Sequence, residues 1–173
     1  IDDVAIYDTV LTRNQVDAHY VASGRTSTFT PRPADAYGAA VYDLDPDIYW
    51  RLGEAAGTVA GDSSQTGANP GTYSGNVTQG ADGVLPGVAN AAAQFGGSSG
   101  LVASTTSFAN PTIYSEELWF RTTTTDGGKL IGFGNSPTGT SSGYDRHIYM
   151  ENDGRLTFGT WTGQTNTATT PAS

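Results

Sequence analysis

The chain of 173 residues is long enough for one domain of ordinary size, or one domain and a piece of another, and its 17 carboxylates against 8 basic groups leave a net charge of −9. That charge repels phosphate backbones and anionic headgroups, so nucleic acid is not expected as a partner. Membrane insertion is not expected either, because no apolar run approaches the ~20 residues that span a bilayer. There is no cysteine, which excludes disulfides, Cys-based zinc sites and a cysteine nucleophile. Only 14% of residues are charged and 23 are glycine, so the surface must be built from Ser, Thr, Asn, Gln and Gly, a composition that suits extracellular or cell-surface β structure. Residues 1–7 do not form a signal peptide, and the segment is expected to be internal to a longer bacterial exoprotein.

Residues 1–7 (IDDVAIY) alternate, with Val4 and Ile6 on one side, and predict a strand. Thr12 with Gln15 three residues later forms a capping box, Leu11 and Val16 are placed for a hydrophobic staple, and a short helix is predicted over 13–22, stopping at Gly24. Residues 25–36 read as a linker containing RTSTFTPRP. Asp35 is the N-cap of a second short helix that Asp45-Pro46 breaks. Strand-forming runs then follow at 48–52 (IYWRL), 92–95, 101–103, 113–122 (IYSEELWFRT, the longest), 130–133, 147–151 and 155–161. Asn152-Asp153-Gly154 marks a tight hairpin between the last two, and a polar tail closes the chain. Many short strands with Gly-rich turns predict an all-β sandwich or jelly roll.

The order of these segments resembles that of laminin-G-like, or concanavalin-A-like, domains. Residues 1–7, Leu11-Thr12 and the short helix are similar to the closing strand and terminal helix of such a domain. Tyr49-Trp50-Arg51-Leu52-Gly53-Glu54, Gly61-Asp62-Ser63-Ser64, Gly71-Thr72-Tyr73, Ala93-Gln94-Phe95-Gly96-Gly97 and Glu117-Leu118-Trp119-Phe120-Arg121 are similar to the beginning of another. The resemblance implies an all-β, two-sheet concanavalin-A-like jelly-roll sandwich with one or two short helices. Segment 1–24 would end a preceding domain, 25–36 would be a linker, and 37–173 would be the N-terminal part of a second domain. A chain out of phase with its repeat suggests that 1–7 fills the closing-strand slot of the second segment, within the chain or between chains.

No arrangement predicts catalysis. Gly96-Gly97-Ser98-Ser99-Gly100 matches a nucleophile elbow, but a strand rather than a helix follows it. No nucleophile accompanies Asp145-Arg146-His147, and Glu116 and Glu117 are expected to point opposite ways. Asp43, Asp45, Asp47 and Glu54 imitate an EF-hand loop, yet Ile48 stands where a glycine is required. The resemblance implies a structural calcium ion, with Asp62 as the first ligand and Asp2 and Asp3 next if the closing strand is present; Gly96-Gly97 follows Phe95 where relatives often place an aspartate. Trp161 and Tyr144, near loops, are the candidates to stack on a sugar, whereas Trp50 and Trp119 are expected in the core. The function expected is a non-catalytic, extracellular carbohydrate- or surface-binding accessory module of a larger protein. The alternative is a structural repeat of an adhesin or filament, whose partners are neighbouring domains or identical subunits joined by strand exchange.

Overall fold

In the computed structural model, which describes residues 1–171, nine short antiparallel strands and two short helices make up the regular structure. The last two residues of the 37–173 segment lie outside that description. Helix α1 is Arg13–Ala22 and α2 is Ala36–Asp43. The strands are β1 Val59–Ala60, β2 Gly71–Ser74, β3 Val77–Ala81, β4 Ala92–Phe95, β5 Leu101–Ser104, β6 Gly128–Gly134, β7 Tyr144–Met150, β8 Leu156–Trp161 and β9 Thr165–Thr169. They form three sheets, ordered β1-β2-β5, β3-β4 and β6-β7-β8-β9.

Local chemistry sets the helices. In α1 the Thr12 hydroxyl accepts from the Gln15 N–H at 3.3 Å, and the Gln15 Oε1 accepts from the Thr12 N–H at 2.8 Å, so two orphan donors are satisfied reciprocally. In α2 the Asp35 carboxylate accepts from the Gly38 N–H at 2.7 Å and pairs with Arg51 at 2.6 Å. The bond from Gly38, partly offset by burial and helped by Arg51, holds the Asp35 carboxyl below its usual range. Segment 25–36 has no regular structure before α2, but it is docked: the Thr30 N–H donates to the Gln65 carbonyl at 2.9 Å and the Thr30 hydroxyl to the Ser64 carbonyl at 2.5 Å.

Asp62 organises the loop between β1 and β2. One carboxylate oxygen accepts from the backbone N–H groups of Tyr49 (3.0 Å) and Ser64 (2.9 Å), and the other accepts from the Ser64 hydroxyl (2.8 Å) and the Asn69 N–H (2.9 Å). The buried residues of this part of the chain are Ala39, Tyr42, Ala60, Ser64, Gln65 and Tyr73. The Gln65 amide donates to the Tyr42 carbonyl and the Tyr42 hydroxyl donates to the Thr30 carbonyl, whereas the Gln65 side-chain oxygen is buried without a partner among the described residues. The connections β2–β3 and β4–β5 cross at close range, where the Gly96 N–H donates to the Asn76 carbonyl at 2.9 Å. At Gly75 φ is +69° and a β-carbon would sit 1.9 Å from the Ser99 carbonyl oxygen, so only glycine fits. The Gly96–Gly100 stretch is a turn from strand to strand, as its sequence indicates.

Four sequence expectations are corrected. Residues 1–7 pair with no strand among the described residues, and Val4 and Ile6 are exposed. The run 48–52 contributes a single bridge, Trp50 to Asp62, rather than a strand. The run 113–122 is irregular and crosses the face of the four-stranded sheet instead of joining its edge. Trp119 is exposed rather than in the core, its indole N–H donating to the Tyr37 hydroxyl at 3.1 Å. Conversely, part of the polar tail forms β9, in register with β8 from Thr157↔Thr169 to Trp161↔Thr165.

Replacing Asp62 by alanine leaves four donors without their acceptor, and chemical denaturation is expected to show a loss of about 2–4 kcal/mol. Asp62→Asn, which keeps one acceptor oxygen, loses less.

Candidate functional site

The four-stranded sheet has two different faces. His147 opposes Gly132 on β6 and Gly159 on β8, and Tyr149 opposes Lys129 and Thr157, so these residues share one face. Alternation along β8 from Gly159 places Trp161 on the same face. The other face carries Ile131, Ile148 and Phe158.

A bulge in β7 decides what reaches the end of this sheet. Arg146 has φ +45° and no cross-strand partner, since the register steps from Gly132↔His147 to Phe133↔Asp145. The extra residue brings Tyr144 to the His147 side, with ring centroids 5.4 Å apart, while the Tyr149 ring lies 5.2 Å away on the other flank of the imidazole. The glycines make room for the histidine: a β-carbon at position 132 would lie 2.4 Å from its Cβ, and one at 159 would lie 3.1 Å from its Nε2. Burial, reinforced by the positive charge of Lys129, lowers the His147 pKa despite the pull of Asp145. The imidazole Nδ1 is buried without a hydrogen-bond partner among the described residues.

Tyr144 and Trp161 thus come to one end of the sheet, exposed at 62% and 59%. Asp145 ties their strands together. Its Oδ1 accepts from the Trp161 N–H at 2.7 Å and from the Arg146 N–H at 2.7 Å, and its Oδ2 pairs with the Arg146 guanidinium. Burial opposes ionisation of Asp145, but these donors and the adjacent cation outweigh it and hold its carboxyl below the usual range. Both loops at this end are polar. The loop 135–143 is closed by Asn135 bonding Gly143 and Ser142, and in the turn after β8 Asn166 donates to the Thr162 hydroxyl at 2.8 Å.

On the opposite face a strap, 111–117, covers the sheet. Tyr114 sits against Phe133 and Phe158, and Arg146 lies over the Tyr114 ring and donates to the Pro111 carbonyl at 2.9 Å. A recess of 390 Å³ remains, lined by Thr112, Ile113, Tyr114, Glu116, Ile148 and Phe158. Glu116 and Glu117 diverge, as expected. Glu117 accepts from the Tyr37 hydroxyl at 2.6 Å, whereas Glu116 turns inward and its Oε2 has no partner among the described residues. Burial pushes the Glu116 carboxyl up to about 7, against the opposing influence of Lys129 and Arg146. Tyr37, half-buried and bonded to Glu117, is itself pushed up to about 12.

The calcium ligands named from the resemblance do not assemble. Asp62 already accepts four hydrogen bonds, which uses the lone pairs a cation would need. Asp2 and Asp3 are exposed in segment 1–7, and no group of three His, Asp or Glu side chains suited to a metal occurs among the described residues. The EF-hand-like acids are engaged elsewhere: Asp43 with Arg32, Asp45 with Arg13, and Glu54 with the Gly61 N–H and the Tyr73 hydroxyl.

Of the residues singled out in the sequence, the structure brings together Tyr144 and Trp161, but not Asp62 with Asp2 and Asp3. The supporting groups Asp145, Arg146 and Tyr149 carry no sequence signal of their own beyond strand alternation, because the bulge that aligns them is a feature of register. No protein-family model matches this chain, and no curated protein or solved structure matches it. No helix among the described residues is long and apolar enough to cross a membrane.

Glu116 provides a pH test of the strap. A carboxyl raised in the folded state stabilises fully below its ordinary value of 4.5, and that contribution is lost as pH rises through about 7. Stability measured by urea denaturation is therefore expected to fall across this window by about 1–2 kcal/mol, after allowance for the partial exposure of the group. Glu116→Gln should flatten that dependence, and Lys129 and Arg146, the cations facing the carboxylate, limit its size.

Proposed function

We propose that the chain is a non-catalytic, extracellular carbohydrate- or surface-binding accessory module of a larger modular protein, its antiparallel sheets related to the concanavalin-A-like jelly roll. The observation that carries this reading is the convergence of Tyr144 and Trp161 at one sheet end, both exposed, with the Trp161 backbone bonded to Asp145 and the Tyr144 ring against His147. Flat aromatic surfaces suit the apolar face of a sugar ring, and holding them in place in advance reduces the entropy lost on binding.

The surroundings favour a neutral ligand. Ser142, Asn135, Thr162, Gln164 and Asn166 in the two adjoining loops offer hydroxyl and amide groups of the kind that bond sugar hydroxyls. The carboxylate of Asp145 at this end is already occupied by Arg146 and by the Trp161 backbone. A neutral glycan chain lying across the sheet end would meet two rings and a polar rim.

Binding to immobilised neutral polysaccharides and a glycan array, followed by calorimetry with the best oligosaccharide, tests the reading. Trp161→Ala and Tyr144→Ala are each expected to weaken affinity about tenfold, or about 1.4 kcal/mol, with unchanged circular dichroism. Retention of full affinity by the double variant, or no glycan bound by the native chain, would refute it.

A further inference from the structure

We infer that the sugar site at the sheet end continues along β7 as an aromatic strip made of Tyr144, His147 and Tyr149, and that its ligand is a single linear chain of neutral sugars. The inference rests on the carbohydrate-binding reading of Tyr144 and Trp161, and adds to it the length and class of the ligand. The three rings touch in series, with centroids 5.4 Å apart from Tyr144 to His147 and 5.2 Å apart from His147 to Tyr149. They share one face with Trp161, because His147 opposes Gly159, Tyr149 opposes Thr157, and the bulge at Arg146 turns Tyr144 to the same side.

The chemistry of this face suits a glycan rather than a protein partner. The aliphatic side chains that the register places, Ile131, Ile148, Met150, Leu156 and Ala168, lie on the opposite face, so a packed sheet or helix would find little to bury against the strip. Hydroxyl groups flank the rings instead: Thr165, Thr167 and Thr169 on β9 oppose Trp161, Gly159 and Thr157, and all three are exposed. On the other flank Gly132 and Gly134 oppose His147 and Tyr144, so these positions of β6 raise no side chain beside the rings. Burial and the nearby Lys129 hold the imidazole pKa down despite Asp145, which leaves the middle ring uncharged at neutral pH.

The tilt of the rings selects among glycans. Successive rings are inclined by 52° and 62°. A flat crystalline array of sugars needs coplanar rings beneath it, whereas the sugars of a free chain turn about each glycosidic bond and can meet inclined faces one after another. Two ring-to-ring steps also carry the strip past the reach of one sugar, so successive sugars would rest on successive side chains. Because the strand holds these rings in place before the ligand arrives, each added contact loses little to ordering.

Calorimetry on the whole chain with neutral glucan, mannan, galactan and xylan oligomers, from the single sugar to the hexamer, tests the strip. Affinity is expected to rise at least about tenfold from the single sugar to the hexamer of the preferred series. Tyr149→Ala should weaken the hexamer about tenfold and leave the single sugar unchanged, whereas Tyr149→Phe, which keeps the ring and the packing, should bind as the native chain does. Trp161→Ala should weaken every length. Affinity that does not depend on length, or a Tyr149→Ala variant that binds the hexamer as tightly as the native chain, overturns the strip and leaves the sheet-end site standing. A native chain that binds none of the oligomers overturns both. Tighter binding of a uronic-acid chain than of its neutral counterpart overturns the neutral class. Light scattering that shows a dimer abolished by Tyr149→Ala overturns the proposal by giving this face to a second copy.

Discussion

The carboxylate of Asp62 is the constraint on which the first half of the fold depends. Its two oxygens gather Tyr49, Ser64 and Asn69 around one point, although these residues belong to loops that share no ladder. From Ser64 and Gln65 the connections pass to Thr30 and Tyr42, and so to α2; from Asn69 they pass to the Trp50 indole, which donates to its carbonyl at 2.9 Å. A chain with little apolar content gains cohesion here by satisfying buried polar groups rather than by burying large hydrophobic ones. Ser64, Gln65 and Thr157 are its most completely buried sizeable side chains. The cost of such a design is asymmetry: each bond adds little beyond what water supplied, but loss of the shared acceptor strands several donors together.

The four-stranded sheet follows a different logic. Its ladder is long, its faces are distinct, and a single inserted residue, Arg146, serves both. The backbone of Arg146 forms the bulge that redirects Tyr144, while its guanidinium packs on Tyr114 and pairs with Asp145 beneath. The strap and the aromatic end therefore share one anchor. Motion of the strap would be felt at Asp145, and so at the Trp161 backbone, through contiguous bonds.

Much of the local structure was legible in the sequence, and the reason is range. The caps of α1 and α2, the Asn152-Asp153-Gly154 hairpin and the strand-to-strand turn at Gly96–Gly100 are decided within a few residues, and each forms where the residues indicate. The run 113–122 misleads because alternating aromatics specify burial, not a ladder. Tyr114 finds its cover between Phe133 and Phe158 on a face, with no edge engaged. Strand β9 was hidden for the opposite reason: a Thr-rich edge strand is held by backbone pairing and by contacts such as Thr157 to Thr169, and needs no apolar alternation. Tyr144 and Trp161 were identifiable as aromatics beside turns, but their meeting depends on the bulge. The fourfold role of Asp62 depends on loops up to 13 residues away, beyond the reach of a local pattern.

Helix α1 shows what local organisation alone sustains. It has no buried residue, and its integrity rests on the reciprocal Thr12–Gln15 bonds and on the Ser23 cap, whose N–H donates to the His19 carbonyl. A ten-residue helix of this kind lies near the margin of stability on its own. With no buried residue to hold it, α1 depends on local bonds, whereas β7 and β8 are held on both sides by ladder partners. What joins this helix to the rest of the chain is a small set of polar side-chain contacts, Arg13 with Asp45, Asn14 with Asp43 and Asp17 with Ser27, rather than buried apolar surface.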